Sequence, residues 1–214
     1  MNDYSKFIAS ERRSVSTPRN MVENGKCVFG TFDKEFETMD LLKIDNPTEA
    51  PNFLNRLKYT AWEAIEVHLE EGVLLAACCD MGIFGQVLNI FYDKRKKKVY
   101  SWASKVPSKD AIVAENLING SETKSAAKNL SFCCTNNFQD GKCALSGWMD
   151  GKDGRIEYDF QLSRISKPCV VSIPFADPAV RHRPLYSQKD FFRSSGWLKF
   201  NGETFHTTEV STAI

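Results

Sequence analysis

The sequence is poor in the features that announce chemistry. Its three histidines, His68, His182 and His206, stand nowhere at metal-ligand spacing, so a histidine-based metal centre has no support. Each sits beside charged or turn-forming residues, and His182 lies between Arg181 and Arg183, whose charges disfavour its protonated form. No Cys-x-x-Cys motif occurs; the seven cysteines instead include the adjacent pairs Cys78-Cys79 and Cys133-Cys134. Neighbours on a strand point to opposite faces, so neither pair can close on one metal or act as a redox couple. Each pair is expected to hold one inward thiol, packed as a small hydrophobe, and one outward thiol.

Charge of one sign is also lacking. Lys and Arg number 28 against 27 Asp and Glu, and a net charge of +1 gives no general attraction for a polyanion, so nucleic acid is not an expected partner. Long apolar runs are missing too. The longest, "GVLLAACCDMGIFG", is broken by Asp80 and by glycines, well short of the roughly 20 residues that cross a bilayer as a helix. The first residues, "MNDYSKFIASERRSVSTPRN", contain no apolar core of a secretory signal. With an odd number of cysteines, this reads as a soluble, reduced, cytoplasmic protein that calls for no cofactor. No repeat or low-complexity block divides the chain.

What is abundant is aromatic: fifteen Phe, six Tyr and four Trp, a load that suits pleated strands and the walls of an apolar cavity. From Lys26 onward the dominant period is two, with turn signals every eight to twelve residues, which predicts an all-β protein. The expected architecture is an antiparallel meander forming a barrel or sandwich, with at most one or two short helices. Residues 1–23 read as a mobile polar arm and 24–214 as a single β domain.

Arg155 to Leu162 is the clearest strand, with Ile156, Tyr158, Phe160 and Leu162 on a buried face and Arg155, Glu157, Asp159 and Gln161 on a wet one. "GVLLAACCD" and "FGQVLNIFYD" are nearly continuous apolar runs, as for strands covered on both faces. Asn201-Gly202 predicts a type I′ hairpin between "SGWLKF" and "ETFHTT". "RLKYTAWEAIEVHLEEG" is read as a strand by its alternation at Ile65, Val67 and Leu69. Lys109 to Ile118 fits two or three helical turns stopping at Asn119-Gly120. Lys94 to Lys98 is a basic hairpin tip whose charges want water and protect against edge pairing.

Acids in or beside strands include Asp33, Glu63, Glu66, Asp80 and Asp93. A hydratase or glycosidase needs a placed acid and base, and sequence does not measure their separation. Asp80 stands out because it ends an apolar run, although a turn role before Met81-Gly82 is the simpler explanation.

Three stretches, "NGKCVFGTFDKEFETMDLL", "RLKYTAWEAIEVH" with "GQVLNIFYDKRKKKVYSW", and "PCVVSIPFADPAVRHRPLYSQKDFFRSSGWLKFNGETF", resemble in order and spacing the family called domain of unknown function 2804 (DUF2804). The resemblance spans about residues 24 to 214 and is carried by core, turn and aromatic positions: Phe29-Gly30, Phe32-Asp33, Arg56-Leu57-Lys58, Trp62, Tyr92-Asp93, Tyr186-Ser187 and Lys189. Gln188 stands where the family leads one to expect histidine. The resemblance implies a longer architecture continuing beyond "STAI", and a kinship with lipocalin-like, carotenoid-hydratase-like double-barrel proteins.

Three functions follow as expectations. The first is a binding module for an apolar, lipid- or isoprenoid-like small molecule, lined by Trp62, Trp102, Trp148, Tyr158 and Phe160. The second is a hydratase or isomerase whose acid and base lie partly beyond this chain, with Asp33, Asp80 or Lys189 assisting. The third is an interaction scaffold that docks a partner through its basic hairpin.

Overall fold

The computed structural model describes residues 14–48, 50–175 and 183–214. His182 and residues 1–13 of the expected polar arm lie outside the described residues.

The strands run in chain order as β1 (Val22–Glu23), β2 (Lys26–Cys27), β3 (Gly30–Phe32), β4 (Ala61–His68), β5 (Gly72–Asp80), β6 (Phe84–Asp93), β7 (Lys98–Pro107) and β8 (Ser121–Ala127). They continue as β9 (Leu130–Asn137), β10 (Lys142–Gly151), β11 (Gly154–Arg164), β12 (Cys169–Pro174), β13 (Pro184–Lys189), β14 (Phe192–Phe200), β15 (Glu203–His206) and β16 (Thr212–Ala213). One short helix, α1 (Asn55–Lys58), precedes β4. The all-β expectation holds.

Among the described residues, ten strands form one antiparallel path in the order β7-β6-β5-β4-β16-β14-β11-β10-β9-β8, with β15 beside β14. The path curls into a nearly closed barrel. Its terminal strands β7 and β8 do not pair, but Trp102 of β7 donates its indole N–H to the Gly154 carbonyl at 2.8 Å and ties that end across to β11. Inside lies one large core in which Leu74, Val87, Phe91, Leu145, Tyr158 and Phe160 are essentially inaccessible. Each strand presents this interior with every second residue, and β11 does so at the positions its sequence alternation predicts.

The runs in β5 and β6 depart from the two-face expectation. Their inward residues are buried, but Leu75, Leu88 and Ile90 on the outer face keep partial exposure. Leu75 lies opposite Ile90 and Ala77 opposite Leu88, so these outward side chains are shielded by each other instead of by a second layer.

A smaller sheet, β13-β12-β3, covers a second core of Met21, Phe32, Phe36 and Val170. The described part of the expected arm belongs to it. Val15 donates its N–H to Thr31 at 2.9 Å, and Met21 is fully buried. Residues 109–118 are not helical: beyond a 3-10 turn at Ser108–Asp110, Ile112 bridges to Lys124, and Leu117 accepts from the Phe138 N–H at 2.9 Å. The backbone bonds of this segment go to β8 and the turn after β9, leaving none for a helix.

Candidate functional site

Between the start of β4 and the small sheet lies a cavity of about 500 Å³. Its apolar wall includes Ile65, Ala114, Leu117, Phe138 and Phe192. β4 places Glu63 on the same inward face as Ile65 and Val67, so a carboxyl group takes a core position at the cavity wall.

The surroundings of Glu63 are neutral donors. Thr123 donates its hydroxyl to Oε2, Asn136 donates its side-chain amide to Oε2 at 3.1 Å, and the Cys134 thiol approaches Oε1 at 3.2 Å. The Thr123 oxygen accepts the Ala114 N–H at 2.9 Å, which commits its own proton to Glu63. No cation pairs with Glu63 among the described residues. Burial therefore pushes its pKa above the ordinary carboxylate value, and the three donors only partly oppose this. The inward thiol Cys134 also lies 3.5 Å from the Cys143 thiol, and its pKa is held well above the ordinary value by Cys143, by burial and by the Glu63 charge.

The far wall comes from β13. Tyr186, Gln188, Lys189 and Asp190 line it, and the polar groups beneath are connected. The Tyr186 hydroxyl donates to Gln188 Oε1 at 2.8 Å, Gln188 donates to Asp190 at 2.7 Å, and Arg164 bridges Asp190 at 2.9 Å and Glu35. Gln188, at the position where the resemblance leads one to expect histidine, is the hub of this network. Burial raises the Asp190 pKa against the opposing pull of Gln188 and Arg164.

The residues singled out in the sequence fall into separate places. Trp62, 58% exposed, and Lys189 line the cavity. Trp102, Tyr158 and Phe160 do not: all three point into the dry barrel core, where Trp102 packs edge-on to Phe200 and Tyr158 donates its hydroxyl to Asn89 at 2.9 Å. Trp148 faces outward beneath the Arg155 guanidinium, 4.2 Å from its ring centre. Asp33 is held below the ordinary range by the Thr17 hydroxyl and N–H, at 2.7 and 3.1 Å, and does not line the cavity. Asp80 clamps α1 to the end of β5: it accepts from Arg56 at 2.6 Å, from Ser108 at 3.1 Å and from the Gly82 N–H at 3.0 Å. Its oxygens are occupied by these structural partners, as the turn reading of its position implies.

The basic hairpin is pinned in place. Arg95 and Lys96 both pair with Glu203 of β15, and the Lys94 ammonium donates to the Leu69 carbonyl at 2.7 Å. His68 is paired with Glu66 on the surface at 2.7 Å, and His206 is exposed. All seven cysteines are free, with Cys78 and Cys134 buried and Cys79 and Cys133 partly exposed, the alternation expected of strand neighbours. No group of three or more metal-ligating side chains occurs among the described residues, and no described helix is long and apolar enough to cross a membrane.

No protein-family model matches the chain, and neither a curated protein nor a solved structure does. The reading of the site rests on its own geometry.

Proposed function

We propose that this chain is a binding module that takes a small, mainly apolar molecule into the cavity beside β4, with Glu63 as the polar anchor. The observation that carries this is a carboxyl group with no cationic partner among the described residues, enclosed by neutral donors, on the wall of an apolar cavity. A volume of about 500 Å³ falls within the range of small-molecule sites. A protonated Glu63 can donate one hydrogen bond to a hydroxyl or carbonyl of the guest, and the apolar wall holds the rest.

The test is a titration with apolar fluorescent probes, read by tryptophan emission and repeated on Trp62→Phe. Quenching that is lost in the variant is the expected result, because Trp62 is the tryptophan at the cavity. Unchanged emission with every probe, together with no probe binding by equilibrium dialysis, removes the proposal.

A second reading is favoured by the raised pKa of Glu63, which moves an acid–base group towards neutrality inside an apolar pocket. The carboxylate would take a proton from a carbon next to a carbonyl of the guest and return it to another carbon, an isomerisation that consumes nothing. Glu63→Gln would then abolish turnover and leave binding intact.

A further inference from the structure

We infer that Cys134 and Cys143 form a bis-thiolate site inside the barrel for a single soft monovalent ion, copper(I). The site goes beyond the cavity reading above and does not depend on it.

Strand register sets the pair. β9 and β10 place Cys143 opposite Asn136 and Cys134 opposite Leu145, so the two thiols are diagonal neighbours on the inward face. Their sulfurs lie 3.5 Å apart, and both residues are buried in the core. Diagonal neighbours stand ~7–8 Å apart at Cα, beyond the ~4.4–6.8 Å of a disulfide, so these sulfurs meet without the backbone reach to bond to each other. An inserted ion removes that mismatch. Two metal–thiolate bonds of ~2.3 Å span ~3.8 Å at a tetrahedral angle and ~4.6 Å in a straight line, so the sulfurs need to open by only ~0.3–1.1 Å.

Apolar packing alone does not account for what converges on Cys134. A buried free cysteine behaves as a small hydrophobe. Here its sulfur also lies 3.2 Å from Glu63 Oε1 and 3.9 Å from Asn136 Oδ1. Two thiols, a carboxyl group and an amide oxygen thus gather where no cation answers them among the described residues.

The donor set selects the ion. Zinc closes its structural sites with four ligands, and calcium and magnesium take six or more oxygens. No group of three or more metal-ligating side chains occurs among the described residues. A pair of thiolates suits copper(I), a soft ion that sulfur ligands select. On binding, the ion displaces both thiol protons; Glu63 takes one where it is ionised, and the other leaves to solvent. The bis-thiolate then carries one negative charge and Glu63 none, so the buried charge is unchanged. The protonated Glu63 is placed to turn its O–H toward the Cys134 sulfur.

The experiment titrates the fully reduced 214-residue chain, under nitrogen, with copper(I) held by the chromophoric chelator bicinchoninate, and reads the chelator's absorbance. Beside it runs a form with Cys27, Cys79, Cys133 and Cys169 changed to Ser, which keeps the three buried thiols. Expected is one tightly held ion per chain in both forms. Cys78→Ala, which removes a buried thiol that stands opposite Glu63 on β5, is expected to leave binding unchanged. Cys134→Ala and Cys143→Ala should each weaken binding by more than the ~10–100-fold that loss of a supporting residue costs. X-ray absorption of the loaded parent chain, which needs no variant to fold, should show two sulfur neighbours. No uptake against the chelator, uptake that survives the loss of Cys134 or Cys143, or a shell other than two sulfurs overturns the inference. A disulfide between the pair, formed by peroxide without copper and seen by mass spectrometry, overturns it too, because the sulfurs then bond without an inserted ion.

Discussion

Glu63 concentrates the local physics of the molecule. Its unfolded reference is 4.5 and burial raises the folded value above that, so the sign of the pH dependence follows. Below the reference value both states are protonated and the group is neutral to stability. As pH rises, the unfolded chain ionises first, and stability is lost until the folded pKa is passed. Glu63→Gln keeps an acceptor for Thr123 and Asn136 and removes the ionisation. The variant is expected to unfold at a higher temperature than the parent at about pH 8 and at the same temperature near pH 4, by calorimetry. A gain that does not vary with pH would show that Glu63 is not the titrating group. The signal for this residue was present in the sequence, since Glu63 is in phase with Ile65, Val67 and Leu69. That phase places an acid on an inward face, but it does not say whether a cation waits there. Trp102, Tyr158 and Phe160 illustrate the converse: an aromatic residue in phase is inward, and only packing distinguishes a cavity wall from a filled core.

At the scale of elements, local chemistry was most legible where the backbone itself is constrained. Asn201 and Gly202 adopt φ of 50° and 75°, the two positive angles of the turn that joins β14 to β15. A Cβ on Gly202 meets nothing within 4 Å, so Gly202→Ala should cost only the left-handed conformation, about 1 kcal/mol in urea unfolding. Gly196 contrasts with it, since a Cβ there would lie 2.1 Å from the Asp159 carbonyl oxygen, and Gly196→Ala should cost several times more. The ratio of the two midpoint shifts checks both. Residues 109–118 depart from their helical spacing for a related reason. Their helical spacing is real, but the Thr123 hydroxyl and the Lys124 backbone take the bonds that a helix would have to satisfy within itself. The basic turn is similar, because its solvation was legible whereas Glu203, more than 100 positions away, was not.

For the whole molecule, β16 is the decisive junction. It lies between β4 and β14 and so joins the β4–β7 half of the sheet to the half that runs from β14 to β8. Removing residues 212–214 deletes the paired bonds of Ile214 with Glu66 and the buried Ala213. The expected loss is about 3 kcal/mol, as for a few net hydrogen bonds and one small buried side chain, measured by urea denaturation with near-ultraviolet circular dichroism. Unchanged stability would mean that the two halves are held together by interior packing alone.

The sequence by itself determined the β class, the alternation that sorts inward from outward residues, the faces of the paired cysteines and the Asn-Gly hairpin. Each depends on interactions within a few residues, where backbone geometry and the period of two leave little choice. Tertiary structure alone decided that β13 stands across a gap from β4, and that Glu63 faces an apolar cavity with neutral partners from β8 and β9. These follow from which distant strands become neighbours, and strand order is set by the packing of the whole core, which no local pattern encodes.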